Sequence, residues 1–120
     1  MVSKLEKVAF VEMMKSRTKQ LGLNAIRTFK RLPKNEESKI IGRQFLRSAL
    51  SVGANYRAAC RGRSRAEFFS KLSISVEEAD EVLFWVEIME ESKILNIDAS
   101  FKKEIEEILA ILSKARKNTK

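Results

Sequence analysis

Apolar residues recur along this chain at alternating spacings of three and four, and the pattern breaks in three places. From about Lys4 to Arg31, Val11, Met14, Thr18, Leu21, Ala25 and Phe29 fall on one stripe, the mark of a helix with one buried face. Pro33 ends it, because the residue before a proline is driven out of helical geometry. A second helix is predicted over about 36–61, with Asn35 as N-cap and Glu36 and Glu37 set against the helix dipole. Ile41, Phe45, Val52, Tyr56 and Ala59 form its core stripe, with Ser48 at the edge. Gly62 stops that helix, and Ser64-Arg65-Ala66-Glu67 has the form of a capping box opening a third, over about 65–92. There Phe69, Leu72, Val76, Ala79, Leu83 and Val86 are placed toward the core. After a turn at Asn96 to Ser100, a fourth helix over about 99–116 carries Phe101, Ile105, Ile108 and Leu112, and the polar tail from Lys114 to Lys120 is expected to fray. Short connections favour antiparallel neighbours, so the expected fold is all-α: one antiparallel up-down-up-down four-helix bundle over residues 1–120.

The polar positions of the second helix sharpen this outline. On a wheel of 100° per residue, Lys39, Arg43, Arg47, Arg57 and Arg61 fall within about 40° of one line opposite the core stripe. Leu50 and Ala54 interrupt that line and leave a groove flanked by guanidinium groups. A third side holds Gly42, Ala49, Gly53 and Cys60, a small-residue seam open either to another helix of the same chain or to a second subunit. On the third helix, Ile74, Phe84, Trp85 and Ile88 lie off the core stripe, where a monomer would leave them wet; with Gly42, Ala49 and Gly53 they are the candidate subunit interface.

Charge is segregated along the chain. Residues 1–65 hold 16 Lys and Arg against 4 acids, whereas residues 66–120 hold 8 against 12. Arginines of the second helix are expected to pair in part with acids of the third, within a subunit or across an interface, which weakens the case for Arg43 and Arg47. The remaining excess must stay as a basic surface, and such a surface attracts phosphate backbones with little sequence selectivity. The candidate nucleic-acid contacts are Arg43, Arg47, Arg57, Arg61, Arg63 and Arg65, with Lys30, Arg31, Lys34 and Lys39 extending the patch around the first turn. The corner formed by Arg61, Arg63 and Arg65 is the strongest part.

Composition removes several classes of function. The chain has no histidine, so catalytic triads, Cys-His pairs and histidine-bearing metal sites are excluded. Its four glycines are scattered and match no phosphate-cradling loop. Acidic pairs such as Glu77 with Asp80 and Glu81, or Glu87 with Glu90 and Glu91, read as a solvated face rather than a metal site. No catalytic, metal-ligating or cofactor-binding residue is assigned, and the chain is not expected to be an enzyme. The lone Cys60 cannot form an intrachain disulfide and fits a packing thiol in a reducing compartment. Met1 to Phe10 lacks a targeting segment and no apolar run approaches about 20 residues, so a cytoplasmic protein without a membrane partner is expected.

Particular runs then carry a resemblance. They are Leu32-Pro33-Lys34, Arg47-Ser48-Ala49, Ser51-Val52-Gly53-Ala54-Asn55-Tyr56-Arg57-Ala58, Arg61-Gly62-Arg63-Ser64 and Glu67-Phe68-Phe69. Together they resemble the four-helix-bundle proteins named after open reading frames in 23S ribosomal RNA intervening sequences, over about Val8 to Ser113. The resemblance implies small bundles that assemble as homopentameric rings with no established enzymatic activity. A related group, the accessory variability proteins of diversity-generating retroelements, comprises basic pentamers that bind nucleic acid and a reverse transcriptase. The usual family pattern has proline or a small residue at the place of Gly53 and Ala-Glu-Gly after the asparagine; here Tyr56-Arg57-Ala58 follows Asn55 and makes the region more basic. The expected function is a non-catalytic homo-oligomeric bundle binding RNA or another nucleic acid. The alternative is a protein-interaction adaptor such as a reverse transcriptase accessory subunit.

Overall fold

The computed structural model describes residues 3–119 and contains four helices: α1 (Lys4–Lys30), α2 (Glu36–Cys60), α3 (Arg65–Glu91) and α4 (Ala99–Lys117). Each begins on a side chain able to accept a backbone N–H that the helix itself cannot satisfy: Ser3, Asn35, Ser64 and Asp98. Ser3 and Glu6 make a full capping box. At α3 the Ser64 hydroxyl accepts from Glu67 N at 3.1 Å, but the Glu67 carboxylate reaches one residue further back, to Arg63 N at 2.9 Å. Gly62 ends α2 by size rather than by a left-handed backbone, since a Cβ there would lie 3.1 Å from both Ala59 O and Phe68 N.

The third connection is the only described position with a positive φ outside glycine. Lys93 takes φ 62°, Ile94 N donates to Met89 O at 3.0 Å and Lys93 N to Glu90 O at 3.1 Å. This is a Schellman ending built on lysine where glycine is usual.

The helices run up, down, up and down as a bundle with extents of 49 × 24 × 20 Å. α2 packs on α1 and α3, and α4 on α3 and α1, the α1/α4 seam being the narrowest. Met14, Leu21, Phe45, Val52, Leu72, Val82, Val86, Met89, Ile105, Ile108 and Leu112 fill the centre, each worth about 1.5–3 kcal/mol of burial. The rings of Phe45 and Phe101 meet edge to face at 6.4 Å. No helix among the described residues is long and apolar enough to cross a membrane.

Two placements differ from the sequence expectation. On α3 the buried row is Leu72, Ser75, Ala79, Val82, Val86 and Met89, while Phe69, Val76 and Leu83 are only half-buried. Ser75 enters the core because its hydroxyl donates to Val52 O of α2 at 2.7 Å, so a polar residue completes the apolar row. Ile41 of α2 is likewise half-buried at the core edge.

Part of the small-residue seam is taken up inside the subunit, which corrects the candidacy of Gly42 and Ala49 as subunit contacts and leaves Gly53 half-buried. Gly42 and Ala49 are buried, and a Cβ on Gly42 would sit 2.6 Å from Leu32 Cδ1. One on Gly53 would lie 3.2 Å from Thr18 O. These residues let α1 and α2 approach closely, and neither Gly42 nor Ala49 keeps surface for a second copy.

Candidate nucleic-acid interface

Up-down-up-down order gathers the start of α1, the α2–α3 turn and the end of α4 at one end of the bundle. Arg57 and Arg61 arrive there from the last turns of α2, on the side facing α1, and Arg63 and Arg65 project from the turn. All four are exposed. Lys15 and Lys19 of α1, absent from the sequence-based candidates, stand across from Arg57 and Arg61 and complete a shallow polar hollow with Glu12 and Ser16. It continues into a groove of about 230 Å³ whose floor and walls are Thr18, Gly22, Leu23, Leu50, Gly53 and Ala54. The groove expected beside Leu50 and Ala54 is therefore present, and α1 supplies its second wall. The missed signal was the i, i+4 spacing of Lys15 and Lys19 beside the Thr18–Gly22 seam.

At this end Lys15 pairs with Glu12 at 3.5 Å, but the arginine side chains stand without ion-pair partners among the described residues. Among the described residues the ion pairs are Lys15–Glu12, Arg17 with Glu104 and Glu107, and Lys102–Glu90. None involves Arg43, Arg47, Arg57, Arg61, Arg63 or Arg65, and none joins α2 to α3. The expected matching of α2 arginines by α3 acids within the subunit does not form. The basic line of α2 borders α1, whereas α3 packs on the other flank, where Ser75 meets Val52. Arg43 and Arg47 are consequently as free of acidic partners as the corner arginines.

The other candidates lie elsewhere. Lys30, Arg31, Lys34 and Lys39 surround the α1–α2 turn, at the opposite end of α2 from Arg61, so they do not extend the corner patch. The length of α2 separates the two clusters by about 37 Å, with Arg43 and Arg47 on the line between them. Lys30, Lys34 and Lys39 line a separate hollow with Phe29, Leu32, Pro33 and Ser38. Arg31 reaches across to Asn96 O at 3.4 Å.

The candidate interface residues of α3 divide as well. Ile74 and Phe84 are exposed, at 36% and 50%, but Trp85 and Ile88 are half-buried. Trp85 packs on the core edge, edge to face with Phe84 at 5.0 Å, and its indole N–H donates to Glu81 at 3.3 Å. Other exposed apolar residues escaped the periodicity: Leu5, Val8, Phe10 and Met13 stand exposed on the first turns of α1, before its buried stripe begins.

The model of a family described as 23S rRNA-intervening sequence protein matches residues 13–114. Among solved structures, the chain is similar to a protein of unknown function from the S23 ribosomal protein family of Bacteroides thetaiotaomicron, with a TM-score of 0.82 and 27% identity. That match covers 90% of this chain and 98% of the other. A search of curated proteins finds no match.

Proposed function

The chain belongs to the family of 23S rRNA-intervening sequence proteins, and we propose that it is a non-catalytic, self-associating bundle whose basic end binds RNA. One observation carries this reading: the guanidinium groups of Arg57, Arg61, Arg63 and Arg65 crowd one end of the molecule and form no ion pair within 4.0 Å among the described residues. Guanidinium groups left unpaired on a surface are matched by phosphate oxygens, which accept their planar fork of N–H groups in pairs. Lys15 and Lys19 widen the same surface across the α1/α2 groove. Such contacts follow the backbone of a nucleic acid and recognise its shape and charge.

Self-association is supported by the exposed apolar residues Leu5, Val8, Phe10 and Met13 on α1 and Ile74 and Phe84 on α3. In the homopentameric ring implied by the family resemblance, the basic ends would repeat around an axis and multiply a weak single-site affinity. Chemistry at histidine is absent from this reading because the chain has none.

The test is a filter-binding titration with single-stranded and structured RNA over a range of salt. A linear fall of log affinity with log salt, with slope near −0.7 per phosphate contacted for a single strand, is expected. Absence of binding at low salt would refute the reading. Light scattering on the same sample should give a mass several times that of one chain; a monomer would remove the self-association.

A further inference from the structure

At the same basic end, on the side away from the α1/α2 groove, α3 and α4 leave a hollow of about 710 Å³ lined by Arg65, Ala66, Phe69, Arg116, Lys117 and Thr119. Its volume is within the range of small-ligand sites, and no acid among the described residues lines it. The end of α4 does not fray here: it stays helical to Lys117 and turns Arg116 onto its neighbour. The Arg116 guanidinium lies 4.7 Å from the centre of the Phe69 ring. Arg116 Nε donates to Ser73 Oγ at 2.7 Å, and the Ser73 hydroxyl in turn donates to Phe69 O at 2.8 Å. A cation–π contact and a hydrogen bond thus orient the group before any ligand arrives. The terminal N–H groups of Arg116 have no protein acceptor among the described residues.

This arrangement asks for a ligand with two properties. A free phosphate would leave Phe69 and Ala66 unused, and an apolar molecule would leave three cations unanswered. We propose that the hollow is a nucleotide subsite. A base stacks on the outer face of the Arg116 guanidinium, making a Phe69–Arg116–base sandwich, and the attached phosphate is held by Arg65, Lys117 and the terminal N–H groups of Arg116. A guanidinium is planar and weakly hydrated, so it accepts a base on its face while binding phosphate at its edge. The inference rests on RNA binding by the basic end and adds contact with a base to contact with phosphates. The nucleotide can be a unit of a strand or a free mononucleotide.

The decisive comparison is between a short single-stranded oligoribonucleotide and an abasic strand of equal length, titrated against the full chain and against Arg116→Lys. Lysine keeps the charge and loses the flat stacking surface. The intact protein should bind the base-bearing strand about tenfold more tightly than the abasic one. Arg116→Lys should bring the two to the same affinity, with the salt slope unchanged. Equal affinity of the intact protein for both strands would overturn the subsite. So would an Arg116→Lys variant that weakens both strands alike, since Arg116 would then be only a phosphate contact. If neither strand binds at low salt, RNA binding by the basic end falls. The subsite is then decided with adenosine monophosphate against ribose 5-phosphate, read from the NMR shifts of the Phe69 ring protons. A shift specific to the base-bearing molecule upholds it, and equal shifts or none overturn it.

Discussion

Two regions of the bundle handle positive charge in opposite ways. Where α3 hands over to α4, Lys102 and Arg31 are tied down, whereas Lys30, Lys34 and Lys39 of the neighbouring α1–α2 turn form no ion pair among the described residues. Lys102 Nζ holds Glu90 at 2.9 Å, Arg31 reaches Asn96 O, and further along the α1/α4 seam Arg17 Nε donates to Glu104 at 2.9 Å and Nη2 to Glu107 at 3.0 Å. The Glu104 hydrogen bonds, offset in part by burial and helped by the one to Glu107, hold the Arg17 guanidinium still more firmly charged than usual. At the α2–α3 turn the arginines have no such partners. Paired charge closes a seam between helices and is satisfied by the fold, whereas unpaired charge contributes little to folding and leaves donors for something outside. The comparison assigns stability to the paired Arg17 and Lys102 and binding to the unpaired arginines of the α2–α3 turn.

Reversing charge at the open end should produce the largest effect. Arg57→Glu with Arg61→Glu is expected to lower RNA affinity roughly thirtyfold or more at low salt, because two phosphate contacts become repulsions. Stability should fall by only about 1 kcal/mol, from two carboxylates set against the dipole at the α2 C-terminus, since neither arginine is buried or paired. The control is Glu77→Lys with Asp80→Lys on α3, which shifts net charge by the same amount in the opposite direction without removing a phosphate contact. If this control alters affinity as much as the arginine reversals do, net charge rather than the corner governs binding. Next in size is Gly53→Val, which forces side-chain carbon against the Thr18 backbone and should cost about 2 kcal/mol in chemical denaturation. It would also distort the α1/α2 groove, linking the packing seam to binding.

The paired cations should respond in stability alone. Arg17→Ala removes a part-buried cation shared by two carboxylates and should cost about 1 kcal/mol, with RNA affinity held. A loss of binding in that variant would blur the distinction between paired and unpaired cations. Lys93→Gly should move stability the other way, by about 0.5 kcal/mol, because glycine adopts the left-handed backbone without the steric cost that lysine carries.

Helix boundaries and antiparallel order were legible because each depends on neighbours in sequence: Pro33 before a cap at Asn35, Ser64 before Glu67, and stripes at three and four. The core row of α3 was harder. Ser75 is buried only because Val52 O of another helix receives its hydroxyl, and no pattern within α3 announces that partner. Charge pairing failed for a similar reason. Acid and base counts for the two halves of the chain say nothing of direction, and the α2 arginines face α1 rather than α3. Arg116 looked like part of a loose polar tail until Phe69, far off in sequence, was seen beneath it. Lys15 and Lys19 could have been found by extending the wheel to α1, since their spacing places them on the flank that carries Gly22.

The smallest expected effect concerns Asp98, at the turn opposite the RNA-binding corner, and its sign can be stated in advance. The Ser100 hydroxyl donates to Asp98 Oδ1 at 2.7 Å and Ser100 N donates to the same oxygen at 2.9 Å. These bonds, the hydroxyl first, hold the carboxyl below its ordinary value. A carboxylate depressed in the folded state contributes stability that is present above its unfolded value of about 3.9 and is lost as pH falls through its lower folded value. Asp98→Asn keeps an N-cap acceptor without the charge and has no such titration. Thermal melts of the two proteins should therefore differ at neutral pH, with the native chain more stable, and converge in acid below the folded value. Parallel curves through that window would show that Asp98 caps α4 by geometry alone. RNA affinity at neutral pH should be the same in both, because Asp98 lies at the opposite end of the bundle from the arginine corner.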